Sequence, residues 1–274
     1  MLHQCYTIDC KSVNYVVVNK IVYIYTNYKL MAIRRLFFDI ETSPCIGWFW
    51  RPGYKLNLSY DNVYEDAKII CICYKWSGQS KIYSLKWDKK QNDKQMIAAF
   101  LKVMIQADEI VGHNADRFDT KWVRTRAMYH GLDMPPDYKS IDTLKQARTL
   151  LNLPSNRLDS IGKYFSLGQK LENERGLWEK VCRYNNQTAL NSMIKYCKQD
   201  VNLLEQWFDK LNKYIKPKTH VTGVKCDCPE CGSSNVGVKS YKIRPTGVKY
   251  VQLQCKECGK YNNVNYNTYL KHNG

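Results

Sequence analysis

Residues 35–44, Arg-Leu-Phe-Phe-Asp-Ile-Glu-Thr-Ser-Pro, set the strongest constraint on how this chain folds. Aromatic and branched residues crowd together up to Ile40, the composition of a buried strand, and Pro44 ends the run. Side chains alternate along a strand, so Asp39 and Glu41 share one face while Phe38 and Ile40 take the other. Two carboxylates side by side at the end of a buried strand repel each other and lose hydration, a cost that a cation between them removes. Their oxygens suit Mg²⁺ or Mn²⁺. Most Asp-x-Glu pairs are surface charges, so the meaning of this one depends on partners elsewhere in the chain.

The 274 residues suffice for one domain of ordinary size and a small module. With 44% hydrophobic and 13% aromatic residues, the chain can bury a core, which argues against general disorder. A net charge of +17 points to a polyanionic partner, nucleic acid ahead of an anionic membrane surface. No apolar run reaches the length of a membrane span, and the N-terminus lacks the order of a signal peptide, so a soluble intracellular protein is expected. Of 12 cysteines, five cluster near the C-terminus with C-x-x-C spacing, which reads as a metal site in a reducing compartment.

In chain order, residues 1–30 read as an extension, with a strand or hairpin through Val16–Val18 and Ile21–Tyr25 turning near Asn19-Lys20. The aromatics Trp48, Phe49, Trp50, Tyr54 and Tyr60, interleaved with Arg51 and Lys55, could stack on single-stranded bases; core and loop packing is the commoner use of such a stretch. Ile69–Trp76 and Ile82–Leu85 read as strands joined at Ser77-Gly78-Gln79. Periodicity predicts helices over 93–106, 116–130 with Gly131 as its stop, 143–151, 157–166 and 187–214, with a short strand at Glu109–Gly112 and a strand or helix start at Ser140–Thr143. Alternating strands and helices imply α/β layering around a mixed sheet. Composition changes after Pro217, giving a main domain over 31–216 and a module over 223–274.

Two further acidic sites follow the first. In Gly112-His113-Asn114-Ala115-Asp116-Arg117-Phe118-Asp119, Asp119 falls in the first turn of a helix. In Tyr196-Cys197-Lys198-Gln199-Asp200, the spacing of four puts Tyr196 and Asp200 on one helix face. Asp-x-Glu, Asn-x-x-x-Phe-Asp and Tyr-x-x-x-Asp, in this order over residues 33–214, resemble the motifs of the DEDD (DnaQ-like) 3′–5′ exonucleases, in the branch with tyrosine in the third motif. The likeness is to the exonuclease domains of B-family DNA polymerases. The sister branch needs histidine five residues before the last Asp, where this chain has Lys195.

The resemblance implies a ribonuclease H-like mixed sheet flanked by helices, with Asp39, Glu41, Asp119 and Asp200 holding two Mg²⁺ or Mn²⁺ ions. Asp39 would bridge the ions, Glu41 and Asp200 would complete the site of the water-activating one, and Asp119 would help hold the second. Tyr196 would orient the attacking water. Ile40, Thr42, Asn114 and Phe118 would meet the terminal nucleotide. Each also has an ordinary structural reading: Asp119 as a charge on a helix dipole, Tyr196 as an amphipathic packing residue, Asp200 as a solvated helix acid. Asp116 is expected at the surface, and Asp142 behind the site.

Near the C-terminus, Cys228-Pro229-Glu230-Cys231-Gly232 and Cys255-Lys256-Glu257-Cys258-Gly259 form two C-x-x-C-G knuckles. Four thiolates suit a closed tetrahedral Zn²⁺ site, and the pattern resembles a zinc ribbon. Cys226 could compete with Cys228, but the paired symmetry favours Cys228. Lys239, Lys242, Arg244 and Lys249 could hold phosphate, or could be a solvated or protein-docking surface. Cys5, Cys10, Cys45, Cys71, Cys73, Cys182 and Cys197 are expected to be packed or free thiols. The expected protein is therefore a metal-dependent exonuclease acting at DNA 3′ ends, with RNA 3′-end trimming, structure-specific endonuclease action and non-catalytic nucleic-acid binding as rivals. A role in replication or repair, encoded by a phage or mobile element, would suit its size.

Overall fold

The computed structural model describes residues 32–51, 53, 58–168 and 175–273, and the backbone alone of three N-terminal strands. Those strands, β1 (Thr7–Cys10), β2 (Val13–Val18) and β3 (Ile21–Tyr25), form an antiparallel sheet in which Val18 pairs with Ile21. Asn19-Lys20, Tyr54, Lys55 and Cys5 lie outside the described residues. Packing divides the chain into two units. One spans Ile33–Thr219 with Gly259–Asn262; the other comprises the N-terminal strands, His220–Cys258 and the residues from Asn263 onward.

The larger unit is built on β4 (Arg35–Thr42), preceding a small two-stranded sheet of β5 (Ile46–Gly47) and β6 (Val63–Glu65). Then come β7 (Ile69–Trp76), β8 (Ile82–Lys86), α1 (Lys94–Met104), β9 (Glu109–Gly112), α2 (Asp119–Tyr129), β10 (Ser140–Asp142) and α3 (Thr143–Leu150). The unit closes with α4 (Leu158–Tyr164), α5 (Leu177–Cys182) and the long α6 (Gln187–Asn212). The main sheet runs β10-β9-β4-β7-β8. β4 is central and mixed: antiparallel to β7, parallel to β9. Arg35 and Glu109 sit opposite each other in that parallel pair, and their buried ion pair (2.7 Å) helps fix its register.

Each face of the sheet buries its own apolar cluster. Leu36, Phe38, Ile40, Ile72 and Tyr74 pack with Met96, Ile97 and Phe100 of α1 and Val123 and Ala127 of α2. Phe37, Cys71 and Cys73 pack with Cys197, Val201, Leu204 and Phe208 of α6. Period-two alternation in β4 thus separates the clusters, and each fully buried large side chain contributes on the order of 1.5–3 kcal/mol.

The second predicted helix starts three residues late, at Asp119, because Asn114 is in the left-handed region (φ +71°) and the chain turns before it can coil. Gly131 (φ +64°) ends that helix as expected, and Gly78 (φ +74°) sits in the β7–β8 turn. Residues 140–142 are a strand leading directly into α3. Helix α5 was not foreseen, since six residues are too few to show a period. Of the uses open to the Trp48–Tyr60 stretch, core packing is not what the described residues show: Trp48, Phe49, Trp50 and Tyr60 are all exposed, Trp50 at 92%, with Trp48 against Tyr64 and Tyr60 bonded to Asp66.

Further along the chain, β11 (Val236–Ile243), β12 (Lys249–Cys255) and β13 (Tyr261–Asn265) form a separate sheet followed by α7 (Tyr266–Asn273). Its apolar core is small: Val251, Leu253, Val264 and Cys226.

Asp93 locks the larger unit together. It is fully buried, accepts the Ile69 N–H (3.1 Å), takes two bonds from Arg126 (2.7 and 2.8 Å) and lies 2.6 Å from His130 Nε2. Burial disfavours its charge, but the bonds from Arg126 and His130 outweigh that and hold its carboxyl below the usual range. Asp93→Ala should therefore cost about 3–5 kcal/mol by stranding the buried guanidinium. A folded value below the unfolded one means that the contribution is complete above about pH 4 and fades as pH falls through the folded value. Urea unfolding from pH 7 to pH 2.5 should show the gap between wild type and Asp93→Ala closing at the acid end.

Candidate active site

The carboxylates of Asp39 and Glu41 sit on the α6 face of β4, next to its hydrogen-bonded partner β7. Asp39 lies opposite Cys73 and Glu41 opposite Cys71. Asp39 is half-buried and Glu41 only 9% exposed. One oxygen from each, together with Cys197 Sγ, lie within 4.8 Å of one another. Cys197 reaches the strand from α6, its sulfur 3.5 Å from the Asp39 carbonyl oxygen and 3.7 Å from Oδ2. Burial pushes the Cys197 thiol well up from its usual value.

Helix α6 carries Tyr196 and Asp200 on either side of Cys197, within about one turn. Asp200 is buried, with Oδ1 sealed from solvent, and Tyr196 is half-buried. This helix packs along β4 and β7. Asn186 starts it, its side chain accepting the Ala189 N–H at 2.9 Å.

Asp119 approaches from the start of α2 and accepts the Ile40 N–H (3.2 Å), so it is tied to β4 between the other two acids. It is 3% exposed, and burial, aided by the negative charge of Asp142, pushes its carboxyl up to about 7 despite backbone hydrogen bonds.

The loop before α2 is held by contacts to distant segments, with Asp142 behind the site as expected. A Cβ on Gly112 would meet the Ala115 Cβ at 2.4 Å, so only glycine fits. His113 lies 2.9 Å from Thr143 Oγ1 and 2.8 Å from the Asn156 carbonyl oxygen, which makes it a staple between segments. Asp142 accepts N–H groups from Asn114 (3.0 Å), Asp116 (3.3 Å), Leu144 (3.0 Å) and Lys145 (3.2 Å), capping α3 and holding the loop at once. Asp116, expected at the surface, is partly exposed there and bonded to Ser140 and Lys145.

Of the residues expected to meet a nucleotide, Phe118 is 39% exposed and packs edge-on to Trp122, while Asn114 and Thr42 are half-buried. Ile40 is corrected: its side chain is 4% exposed in the opposite cluster, and its N–H serves Asp119, so it positions an acid. Alternation along β4 already carried that answer. Read singly, the cysteines beside the acids are packing residues, although Cys71-x-Cys73 shows the same alternation.

In the smaller unit, the sulfurs of Cys228, Cys231, Cys255 and Cys258 lie within 4.8 Å of one another, with Cys228–Cys258 at 3.5 Å and Cys231–Cys255 at 3.6 Å. Cys226 is outside this group, in the apolar core. Gly232 (φ +72°) and Gly259 (φ +75°) turn the two knuckles. Four such thiols could hold zinc.

The family model of the RNase H superfamily matches residues 62–212. The chain belongs to the RNase H superfamily. The match begins downstream of Asp39 and Glu41, whose strand is the central one of the sheet. No curated protein matches the chain. Among solved structures, this RNase H-superfamily chain is similar in fold to the family B DNA polymerase of the hyperthermophilic archaeon Pyrobaculum calidifontis, at a TM-score of 0.53 and 15% identity. That match covers 90% of this chain and 36% of the polymerase, so the chain spans about a third of that protein. Among the described residues, no helix is long and apolar enough to cross a membrane.

The raised Asp119 carboxyl has a sign that can be checked. A folded value above the unfolded one means that ionisation opposes folding, with a penalty that grows from about pH 4 and levels off above pH 7. In EDTA, Asp119→Asn should melt at the same temperature as wild type near pH 4.5 and several degrees higher at pH 8. Parallel melting curves across that range would show that Asp119 ionises without penalty.

Proposed function

We propose that this protein is a 3′–5′ exonuclease acting on DNA 3′ ends, single-stranded by preference, through two divalent cations, with release of nucleoside 5′-monophosphates. The observation that carries this reading is the convergence of the Asp39 and Glu41 oxygens on one sheet face beside the helix that bears Asp200 and Tyr196. The donor set fits hard cations: these are oxygen ligands, and one neighbouring acid, Asp119, is raised to about 7 by burial, a cost that a cation removes. Mg²⁺ or Mn²⁺ bound there would activate the attacking water and stabilise the leaving 3′ oxygen.

The chain's own residues then take these roles. Asp39, Glu41 and Asp200 would hold the cation beside the attacking water, and Asp119 would help to hold the second. Tyr196 orients the water by hydrogen bond, since a phenol of pKa about 10 is a poor base at neutral pH. Asn114, Phe118 and Thr42 meet the terminal nucleotide. The exposed Trp48, Phe49, Trp50 and Tyr64, interleaved with Arg51, offer faces on which unpaired bases stack, and the +17 charge favours a polyanion.

The test is digestion of 5′-labelled single-stranded DNA and RNA with Mg²⁺, with Mn²⁺ and with EDTA. A ladder shortening from the 3′ end, abolished by EDTA and lowered at least about 10³-fold by Asp39→Ala and Asp200→Ala, is expected. Tyr196→Phe should lose about 10²-fold in kcat with little change in KM. Faster digestion of RNA would move the substrate class. Intact substrate with every cation, from protein that binds it, would leave a non-catalytic binding protein.

For the smaller unit we infer one structural Zn²⁺ held by Cys228, Cys231, Cys255 and Cys258. So small an apolar core needs a metal to fold. Purified protein should carry zinc in this cluster, and Cys231→Ser should lose that ion together with protease resistance after residue 220. Full resistance in a zinc-free protein would remove the metal from its folding.

A further inference from the structure

Sulfur lies directly beside the acids that the exonuclease reading uses. Cys71 and Cys73 stand on one face of β7, opposite Glu41 and Asp39, and Cys197 comes down on them from α6. All three are buried, and their sulfurs lie within 4.8 Å of one another. Cys197 Sγ is also 3.7 Å from Asp39 Oδ2.

Buried cysteines commonly serve as small apolar residues. Here, however, three of them converge from two elements with a carboxylate oxygen as neighbour. Zinc–sulfur bonds of about 2.3 Å and zinc–oxygen bonds of about 2.1 Å put tetrahedral ligands about 3.8 Å apart for sulfur–sulfur and about 3.6 Å for sulfur–oxygen. The sulfurs are within about 1 Å of closing around such an ion, and the Cys197–Asp39 spacing already matches it. The carboxylate is the half-exposed member, which gives an ion a way in.

We propose that Cys71, Cys73 and Cys197, with Asp39 as the oxygen ligand, form a second site for a thiophilic divalent cation such as Zn²⁺ or Cd²⁺, separate from the four-cysteine cluster. Each thiol gives its proton to solvent as the ion binds. Soft sulfur ligands select against Mg²⁺. An ion held there occupies Asp39 and so competes with the hard cations of the nuclease; that consequence rests on the exonuclease reading, whereas the site itself does not.

The probe is Cd²⁺ added to the reduced full-length protein, followed by gel filtration in Mg²⁺ and elemental analysis of bound cadmium. Wild type should retain two ions per chain. Cys71→Ala and Cys73→Ala should each retain one, and Cys228→Ala/Cys231→Ala should also retain one, with sulfur-to-cadmium absorption lowered in each and more so in the last, which loses the site with four sulfurs. A single ion on wild type, or two on both core variants, would overturn the proposal. The wild-type count needs no variant to fold, and using two separate core variants guards against the misfolding of either. Two ions on a chain that digests no nucleic acid under any condition would remove the exonuclease reading and leave this site standing.

Discussion

Everything in the larger unit depends on alternation along one buried strand. β4 is bonded on both sides, so each of its side chains must go to one sheet face or the other. Phe38 and Ile40 anchor the α1–α2 face, and that leaves Asp39 and Glu41 pointing at α6. Carboxylates inside a sheet are costly. The protein contains that cost by keeping Asp39 half-exposed to solvent.

The aspartates of this chain show how environment, not residue type, decides what a carboxyl does. Asp93 is buried but receives a guanidinium, a histidine and a backbone N–H, and its carboxyl is held low. Asp142 receives four backbone N–H groups and becomes a cap and clamp. Asp119 is as deeply buried and receives backbone N–H groups, yet burial prevails and lifts it to about 7. A structural acid is matched by donors at folding. Asp119 carries its mismatch in the folded state, and stability is lower for it.

The sequence made the acids legible because their spacings follow the periods of their elements, two for Asp39 and Glu41 and four for Tyr196 and Asp200. The mixed sheet and its major helices were legible for the same reason, since long runs of β7 or α6 length show their period clearly. What escaped notice depends on contacts between distant segments. Nothing in the neighbourhood of His113 announces Thr143 and Asn156, nor does Asp116 announce Ser140 and Lys145. The exposure of Trp48, Phe49 and Trp50 is hidden for another reason: aromatic composition suggests burial, and the neighbouring strands β5 and β6 are too short to show alternation.

The superfamily model begins beyond the first motif, so the place of Asp39 and Glu41 rests on the sheet itself. Three independent constraints hold them there. The ladder to β7 fixes which cysteines face them, and the parallel register to β9, reinforced by Arg35 and Glu109, fixes the strand along its axis. The Ile40 N–H bonds to Asp119 Oδ1, so the peptide between the two strand acids is also the anchor of the third. A register slip of one residue in β4 would turn both acids into the α1–α2 cluster and release Asp119 in the same step. The acids therefore assemble together or not at all, which makes the arrangement of the site inseparable from the folding of its central strand.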